Sequence, residues 1–384
     1  MISYGKQSID QSDIDAVINV LKSDWLTQGP VVEIFENRLG KYFNAKHVCA
    51  VSNGTAALHL CAIALSWKKG DIVITSPMSF VASANCISYV GATPDFVDID
   101  NETYNIDIHK LEEKISSYRS IGKKIKAVIG VDFAGNPCDW KTLRSLANKY
   151  EFDLINDNCH AIGASYKNDI GYAVKYADLV TQSYHPVKNI TTGEGGAILS
   201  NNPDLIKCVR KLRSHGIVKK RNNQQSKPWF YEMNDLGYNY RITDFQCALG
   251  LSQINKLENF IRKRNEIARI YDNSLSGLEH LKTTNTHKDI RHAYHLYPLL
   301  IEYNALNITK EYFFEKLREE NINLQVHYIP IHLQPYYKNN FNFKEGDFPC
   351  AENFYQQEVS LPIFPDLDSK RQEFIISLIL DILK

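Results

Sequence analysis

Strand-like and helix-like segments alternate between residues 47 and 200, and this alternation limits the fold more than any other feature of the chain. Repeated strand–helix–strand units form a mostly parallel sheet that is covered by helices on both faces. The fold class is therefore predicted to be α/β. The predicted strands are residues 47–52, 72–76, 94–99, 127–133, 152–157, 179–184 and 197–200, and the helices between them include residues 55–65, 80–89 and 140–150.

A long helical pattern at residues 244–271 separates this alternating region from a C-terminal part of different character. We expect a large α/β domain over residues 1–250, including the N-terminal segment, and a small α+β domain over residues 251–384. The polar and basic segment at residues 219–229 is predicted to be a surface loop. The C-terminal prediction depends on strand-like residues 294–301 and 323–327 and on helix-like residues 310–319 and 369–383.

Composition argues against several classes of function. The 384 residues include 44 basic and 44 acidic side chains, so no broad basic surface for nucleic acid is expected. No apolar run approaches the length of a membrane span, and the N-terminus lacks the pattern of a secretory signal. The eight cysteines form no Cys-x-x-Cys pair, so we expect no metal site and a reducing cytoplasm.

Lys188 lies between a strand-like segment and the glycine-rich residues 193–196 (GEGG). A lysine in such a turn can be removed from water, which lowers the pKa of its amine and makes it a nucleophile toward carbonyl groups. The alternative is an ordinary solvated lysine, which is the usual state of this residue type. The polar groups that follow the other predicted strands distinguish the two interpretations.

Pyridoxal phosphate requires three kinds of group, and this sequence offers all three at predicted strand ends. The cofactor needs a lysine for an imine, a carboxylate for its pyridine nitrogen and donors for its phosphate. Lys188 is a candidate for the first role and Asp157 for the second. Residues 53–56 open a helix whose free N–H groups suit a phosphate, and Ser183 adds a hydroxyl. A dinucleotide site lacks its Gly-x-Gly-x-x-Gly signature.

The order of these groups resembles the DegT/StrS-type sugar aminotransferases, which are fold type I pyridoxal-phosphate enzymes acting on nucleotide-linked keto sugars. The resemblance extends over nearly the whole chain. Residues 185–188 (HPVK), 213–221 (RSHGIVKKR) and 325–328 (QVHY) resemble the branch of the family that serves pseudaminic acid biosynthesis. The family motifs match at residues 26–30 (LTQGP), 52–59 (SNGTAALH), 80–85 (FVASAN), 157–161 (DNCHA), 183–196 (SYHPVKNITTGEGG) and 237–241 (GYNYR).

The resemblance implies a role for each matching position around the cofactor. Lys188 is expected to be the catalytic Schiff-base lysine, and Asp157 is expected to pair with the pyridine nitrogen. Phe80 is expected to stack on the ring, and His160 is expected to lie near the ring hydroxyl. A homodimer with shared active sites is also implied, because the expected phosphate ligands are Gly54, Thr55, Ala56 and Ser183 together with Asn239 of the neighbouring subunit.

The resemblance further implies a two-step reaction. L-Glutamate gives up its amino group and leaves as 2-oxoglutarate, while the cofactor becomes pyridoxamine phosphate. The amino group then passes to C4 of a UDP-linked 4-keto-6-deoxy-N-acetylhexosamine, and Lys188 moves the proton in both steps. The expected contacts with the sugar nucleotide are Tyr4, Thr27, His185, Arg241, His327 and Tyr328.

Other functions remain open on the sequence alone. The substrate can instead be a sugar of the GDP-perosamine, dTDP-amino-sugar, bacillosamine or legionaminic type. The dehydratases of the family carry histidine in place of the lysine, so Lys188 favours amino transfer, and a non-catalytic regulator would not need a reactive lysine. Asn156 and Asn158 depart from the residues usual beside the aspartate, and the loop at residues 221–232 is expected to be longer than in the pseudaminic acid branch.

Overall fold

The computed structural model describes residues 1–218, 229–284 and 286–383. The basic segment predicted as a surface loop at residues 219–229 therefore lies outside the described residues, except for Trp229. Most of the loop at residues 221–232 lies outside them as well. Among the residues that are described, no helix is both long and apolar enough to cross a bilayer.

Strands and helices follow the predicted alternation. The strands are β1 (Ile2–Ser3), β2 (His47–Val51), β3 (Ile72–Thr75), β4 (Thr93–Phe96), β5 (Ala127–Val131), β6 (Asp153–Asp157), β7 (Ser165–Tyr166), β8 (Leu179–Ser183), β9 (Gly196–Ser200), β10 (Ile217–Val218), β11 (Glu232–Met233), β12 (Leu281–Thr283), β13 (Ile290–Arg291), β14 (Tyr297–Ile301), β15 (Ile322–Asn323) and β16 (Glu358–Leu361). The α-helices are α1 (Gln11–Leu21), α2 (Pro30–Phe43), α3 (Gly54–Ala64), α4 (Ala82–Tyr89), α5 (Ile108–Ser120), α6 (Trp140–Tyr150), α7 (Tyr172–Tyr176), α8 (Pro203–Arg213), α9 (Asp244–Leu275), α10 (Lys310–Glu319), α11 (Pro335–Phe341), α12 (Pro349–Gln357) and α13 (Ser369–Ile382).

Seven strands form the central sheet in the order β2-β9-β8-β6-β5-β3-β4. The pairs β3–β4, β3–β5, β5–β6 and β6–β8 are parallel, whereas β9 runs antiparallel to both β8 and β2. The predicted α/β class with a mostly parallel sheet is thus confirmed. The antiparallel direction of β9 has a local cause, because the turn that carries Lys188 joins β8 directly to β9 without a crossover helix.

Both faces of the sheet are buried under helices. Along β5, Val128 points into one core cluster, while Ala127, Ile129 and Val131 point into the other. This alternation follows from the two-residue period of a strand. Strands that are buried on both faces read as continuous apolar runs, which is why the sequence pattern located them well.

The C-terminal part forms a smaller α+β layer around the antiparallel sheet β12-β14-β16. The long helix α9 begins at a capping box formed by Thr243 and Gln246. Its Leu257 joins the core under the central sheet, and its Tyr271 joins the core of the C-terminal part. Strand β1 pairs with β15, so the N-terminal segment also reaches the C-terminal part.

Candidate active site

A cavity of about 780 Å³ opens at the carboxyl ends of the parallel strands. Asp157 ends β6 and Ser183 ends β8, and both line the cavity beside the first turn of α3. Ligands of open α/β sheets bind at this edge, because the loops that follow parallel strands converge there. The cavity therefore lies at the strand ends where the sequence motifs predict a cofactor site.

Lys188 reaches the cavity from the turn between β8 and β9. Its backbone N–H donates to the carbonyl of His185 (2.9 Å), and the N–H of Thr192 donates to the carbonyl of Tyr184 (3.0 Å), which closes the turn. Glycine is required at Gly196, because a Cβ there would lie 2.6 Å from the backbone carbonyl carbon of Asn53. The glycine-rich run thus allows the lysine turn to pack directly against the start of α3.

The Lys188 amine lies in a desolvated environment. Burial lowers the pKa of the amine, while the nearby Cys159 and Asp157 oppose that shift by their charge. The Lys188 Nζ lies 3.3 Å from Nε2 of His295. Sequence reasoning missed His295, since no motif distinguished it from other core histidines.

Asp157 is held with its carboxylate toward the cavity. Ser83 on α4 donates its hydroxyl to Oδ2 of Asp157 (2.7 Å), and the N–H of Cys159 approaches Oδ1 (3.3 Å). Ser83 belongs to the motif at residues 80–85, but its own role was not predicted. The neighbour Asn158 instead donates its amide to the buried Asp132 (3.0 Å), so its side chain serves the packing behind the sheet.

The first turn of α3 offers backbone donors to the cavity. The Asn53 side chain caps the helix by accepting from the N–H of Ala56 (2.7 Å). That bond occupies the Ala56 donor in this structure, and the N–H groups of Gly54 and Thr55 precede it in the turn. A Cβ on Gly54 would lie 2.9 Å from Cβ of Ser183. Because glycine has no Cβ, the Ser183 side chain can approach the start of α3 closely.

Aromatic rings line the rest of the cavity. Phe80 is 55% exposed although the preceding Ser79 is buried, and its ring lies 6.0 Å from that of Tyr328. The hydroxyl of Tyr328 lies 3.1 Å from Nε2 of His160, whose ring is 4.5 Å from that of His295. The Nδ1 atoms of both histidines are buried and have no hydrogen-bond partner among the described residues.

The C-terminal part closes the opposite side of the cavity. Residues 325–328 line it, and the ring of His327 lies 4.8 Å from that of Tyr4. Burial lowers the pKa of His327 to about 3, so this imidazole is neutral at working pH. Tyr4, His185, His327 and Tyr328, which the resemblance implies as substrate contacts, thus line one cavity.

Three predicted site residues lie outside this cavity. Thr27 pairs with Thr243 in an isolated β-bridge, and Asn239 pairs with Ser214. Arg241 lines a separate groove of about 930 Å³. Within one chain these residues therefore do not line the cavity that contains Lys188.

The cavity fits pyridoxal phosphate. It combines a desolvated lysine, a carboxylate at a strand end, an open helix start and an exposed aromatic ring. Nδ1 of His160 and Nδ1 of His295 are buried without a partner among the described residues, which leaves each free to bond a polar ligand. In the part of the chain that is described, no three potential ligands from His, Cys, Asp and Glu are grouped to hold a metal ion.

Comparisons with known proteins agree with this geometry. The sequence profile of the DegT/DnrJ/EryC1/StrS aminotransferase family matches residues 7–380. The chain is 40% identical over 385 residues to the UDP-4-amino-4,6-dideoxy-N-acetyl-beta-L-altrosamine transaminase of Campylobacter jejuni subsp. jejuni serotype O:23/36 (strain 81-176), with 100% of this chain and 98% of the relative covered.

Two solved structures share the fold along the whole chain. The aminotransferase PseC of Helicobacter pylori, described as involved in the biosynthesis of pseudoaminic acid, superposes with a TM-score of 0.91 at 32% identity and covers 100% of this chain and 99% of its own. The PMP form of the sugar aminotransferase Spr1654 from Streptococcus pneumoniae gives 0.90 at 28% identity, with 100% and 99% covered. The chain belongs to the DegT/DnrJ/EryC1/StrS family of pyridoxal-phosphate-dependent aminotransferases.

Proposed function

We propose that the chain transfers the amino group of L-glutamate to C4 of a UDP-linked 4-keto-6-deoxy-N-acetylhexosamine, as in pseudaminic acid biosynthesis. The observation that carries this proposal is the convergence of Lys188, Asp157 and the start of α3 on one cavity. The sugar and its nucleotide follow the names of the Campylobacter relative and of the Helicobacter neighbour. Lysine at position 188 favours amino transfer over dehydration.

Within one subunit, five positions besides Lys188 are proposed to hold the cofactor. Asp157 would pair with the pyridine nitrogen, because a carboxylate keeps that nitrogen protonated. The N–H groups of Gly54 and Thr55 and the hydroxyl of Ser183 would hold the phosphate at the positive end of α3. Phe80 would cover the ring. When bound, pyridoxal phosphate supplies an electron sink for the carbon that gains or loses the proton.

Lys188 is proposed to hold and move the proton. Burial lowers the pKa of its amine, which increases the neutral fraction that can accept a proton near neutral pH. Because the amine enters the cavity from one side, it would remove and return the proton on the same face of the substrate carbon. His295 lies within hydrogen-bond distance of Nζ and would keep the free amine in place.

The substrate would lie against the C-terminal side of the cavity. Tyr4, His185, His327 and Tyr328 offer rings and polar atoms that suit a sugar ring. The rings also limit the water that reaches Lys188, which protects a proton-transfer step from exchange with solvent. The same side would therefore decide which nucleotide-linked sugar is accepted.

A substrate panel tests the proposal. The protein reconstituted with pyridoxal phosphate is given L-glutamate and matched 4-keto-6-deoxy sugars linked to UDP, GDP or dTDP, and 2-oxoglutarate is measured. We expect repeated turnover, with 2-oxoglutarate in excess of the amount that glutamate alone releases from the enzyme, only with the UDP-linked N-acetyl sugar. Turnover confined to the GDP- or dTDP-sugars would overturn the assignment of the substrate, and no turnover with any sugar would overturn sugar amino transfer itself.

We further propose a cytoplasmic homodimer with shared active sites. Thr27, Asn239 and Arg241 lie outside their own cavity, and large exposed apolar side chains surround their segments. Trp25 is 56% and Leu236 79% exposed, which suits burial against a second copy of the chain. The eight cysteines are all free thiols, which supports a reducing compartment.

Mixed dimers test whether active sites are shared. Lys188→Ala and Asn239→Asp are each expected to be inactive as homodimers, the second because a carboxylate would face the phosphate. Mixing them with exchange of subunits would restore about a quarter of wild-type activity, because half of the dimers carry one intact site. A mixture that stays inactive although mixed dimers form would show that Asn239 does not serve the neighbouring site.

A further inference from the structure

A buried chain of hydrogen bonds runs from Glu358 through Ser360 to His327. The Ser360 hydroxyl donates to Oε1 of Glu358 (2.6 Å), and Oγ of Ser360 lies 2.8 Å from Nδ1 of His327. The backbone N–H of His327 donates to the other carboxylate oxygen (2.9 Å). The three residues are almost fully buried, and only His327 lines the cavity.

The fold holds these groups in register. Glu358 and Ser360 are two residues apart on β16, so their side chains lie on the same face of the strand. The N–H of Ser360 donates to the carbonyl of Gln325 (2.9 Å), which fixes the segment that carries His327 against β16. The geometry of these three hydrogen bonds therefore comes from backbone pairing and does not depend on a bound ligand.

While Glu358 is ionised, the direction of the hydrogen bonds fixes the tautomer of His327. A hydroxyl has one proton, and the Ser360 proton is donated to the Glu358 carboxylate. The Ser360 oxygen must then accept from His327, so the imidazole proton is on Nδ1. The opposite nitrogen, Nε2, keeps its lone pair and can only accept.

We infer that Glu358 and Ser360 are positioning residues that hold His327 as an acceptor for a hydroxyl or amide N–H of the sugar substrate. This inference rests on the proposed function, since it assigns one contact of that substrate. A hexose that places an N–H or O–H beside His327 would bind, whereas one that places a carbonyl oxygen there would be rejected by lone-pair repulsion. The pair thus acts on specificity and not on the proton transfer at Lys188.

Protonation of Glu358 reverses the donor direction of the hydrogen bonds from Glu358 through Ser360 to His327. A neutral Glu358 would donate to Ser360, Ser360 would donate to Nδ1, and Nε2 would become a donor. Burial raises the pKa of this carboxyl to about 7, and the amine of Lys310 opposes that shift. The hydroxyl of Ser360 and the backbone N–H of His327 also favour the ionised form of Glu358, whose charge in turn raises the pKa of Tyr303 and Tyr328. The KM for the sugar is therefore expected to rise as pH falls below about 7.

The test compares Ser360→Ala, which removes the hydroxyl between Glu358 and His327, with Ser360→Thr, which keeps a hydroxyl. In the reconstituted enzyme, Ser360→Ala is expected to raise the KM for the sugar about tenfold and to abolish its rise at low pH. The half-reaction with glutamate alone should change less than about twofold, since its chemistry does not use His327. Ser360→Thr should have the KM of the wild type and the same dependence of KM on pH.

A second measurement needs no substrate. The ¹⁵N spectrum of histidine-labelled protein, with His327 assigned from its loss in His327→Asn, is expected to show a protonated Nδ1 and an unprotonated Nε2 at pH 8. Ser360→Ala should remove this preference. An Nε2–H tautomer in the wild type would overturn the inference, as would equal losses in both half-reactions of Ser360→Ala. A wild type that converts no sugar but shows the expected tautomer would count against the proposed function alone.

Discussion

The two sides of the cavity are built in different ways. On the sheet side, Asp157 and Ser183 are the last residues of paired strands, and Lys188 lies in the turn that joins β8 to its partner β9. On the C-terminal side, His295 and His327 reach the cavity from segments outside the central sheet, and their imidazoles contact the side chains of Lys188 and Ser360. The difference indicates that the chemistry is built on the rigid sheet and that recognition is built on a separate layer.

Arg264 fastens the C-terminal side to the rest of the protein. This buried guanidinium on α9 donates to the carbonyls of Tyr294 (2.9 Å) and Ile363 (2.8 Å) and lies 3.4 Å from that of His295. Burial lowers the pKa of Arg264 to about 9, so it remains charged at working pH. The recognition layer is thus positioned by one long helix that also packs against the central sheet.

Replacing Lys188 by alanine is expected to have the largest effect and to test the sheet side alone. The variant loses the only group on that side that is proposed to move the proton. We expect the rate constants of both half-reactions to fall at least about 1,000-fold and the absorbance band of the imine between Lys188 and pyridoxal phosphate to disappear. Single-turnover kinetics with glutamate and absorbance spectra measure both.

Lys149→Ala is the matched control, because Lys149 lies on the surface with Glu112 as its partner. It should keep the absorbance and the rate of the wild type. A Lys188→Ala protein that retained either half-reaction would place the chemistry outside the sheet side and would break the division between the two sides.

The residues on the sheet side of the cavity could be predicted, because the sequence patterns that mark them are short and local. Residues 47–52 were predicted as a strand and β2 spans His47–Val51, and Asp157 ends β6 at the predicted position. Burial on both faces makes such strands continuous apolar runs, and a polar residue that follows one is easy to recognise. The family motifs then supplied the order of the groups along the chain.

The C-terminal side gave no comparable signal. His295 is 107 residues away from Lys188, and their contact depends on the packing of α9 and on Arg264. His292, three residues earlier, is buried as well but bonds the N–H of Tyr294 (2.8 Å) and does not line the cavity. Sequence alone has no means of telling these two histidines apart, because only tertiary structure decides which one faces the site.

Substitutions of His295 test the point where the two sides touch. Methionine has the length of glutamine but no strong acceptor, so His295→Met leaves the buried amine of Lys188 without its partner, whereas His295→Gln keeps one. Losing the partner of a buried donor costs roughly 1–3 kcal/mol, so we expect His295→Met to slow both half-reactions about 30-fold. His295→Gln should remain within about threefold of the wild type.

His292→Met serves as the control for removing a buried imidazole nearby. It should lower the melting temperature without changing the rate per bound cofactor. If His295→Met slowed only the sugar half-reaction, His295 would belong to recognition alone and the two sides would be separate. Equal slowing in both would show that the C-terminal side also supports the chemistry.

Ser83→Ala is expected to have the smallest effect and to sharpen the comparison within the sheet side. Ser83 donates to Asp157, and its removal leaves the carboxylate with the N–H of Cys159 as a remaining contact. Ser79, whose hydroxyl lies 2.7 Å from that of Ser83, limits the loss because it stays next to the vacated position. We therefore expect about threefold weaker retention of pyridoxal phosphate, measured by dialysis and absorbance, with both half-reactions reduced equally.

Excess pyridoxal phosphate should restore the rate of Ser83→Ala, because the hydroxyl acts through the affinity of Asp157 for the cofactor. Ser145→Ala, which removes an exposed hydroxyl bonded to the carbonyl of Lys141, should leave retention unchanged. A rate deficit that persists at saturating cofactor would mean that Ser83 takes part in the reaction beyond holding Asp157. A deficit confined to the sugar half-reaction would instead assign part of α4 to recognition, and the boundary between the two layers would then run through the sheet side itself.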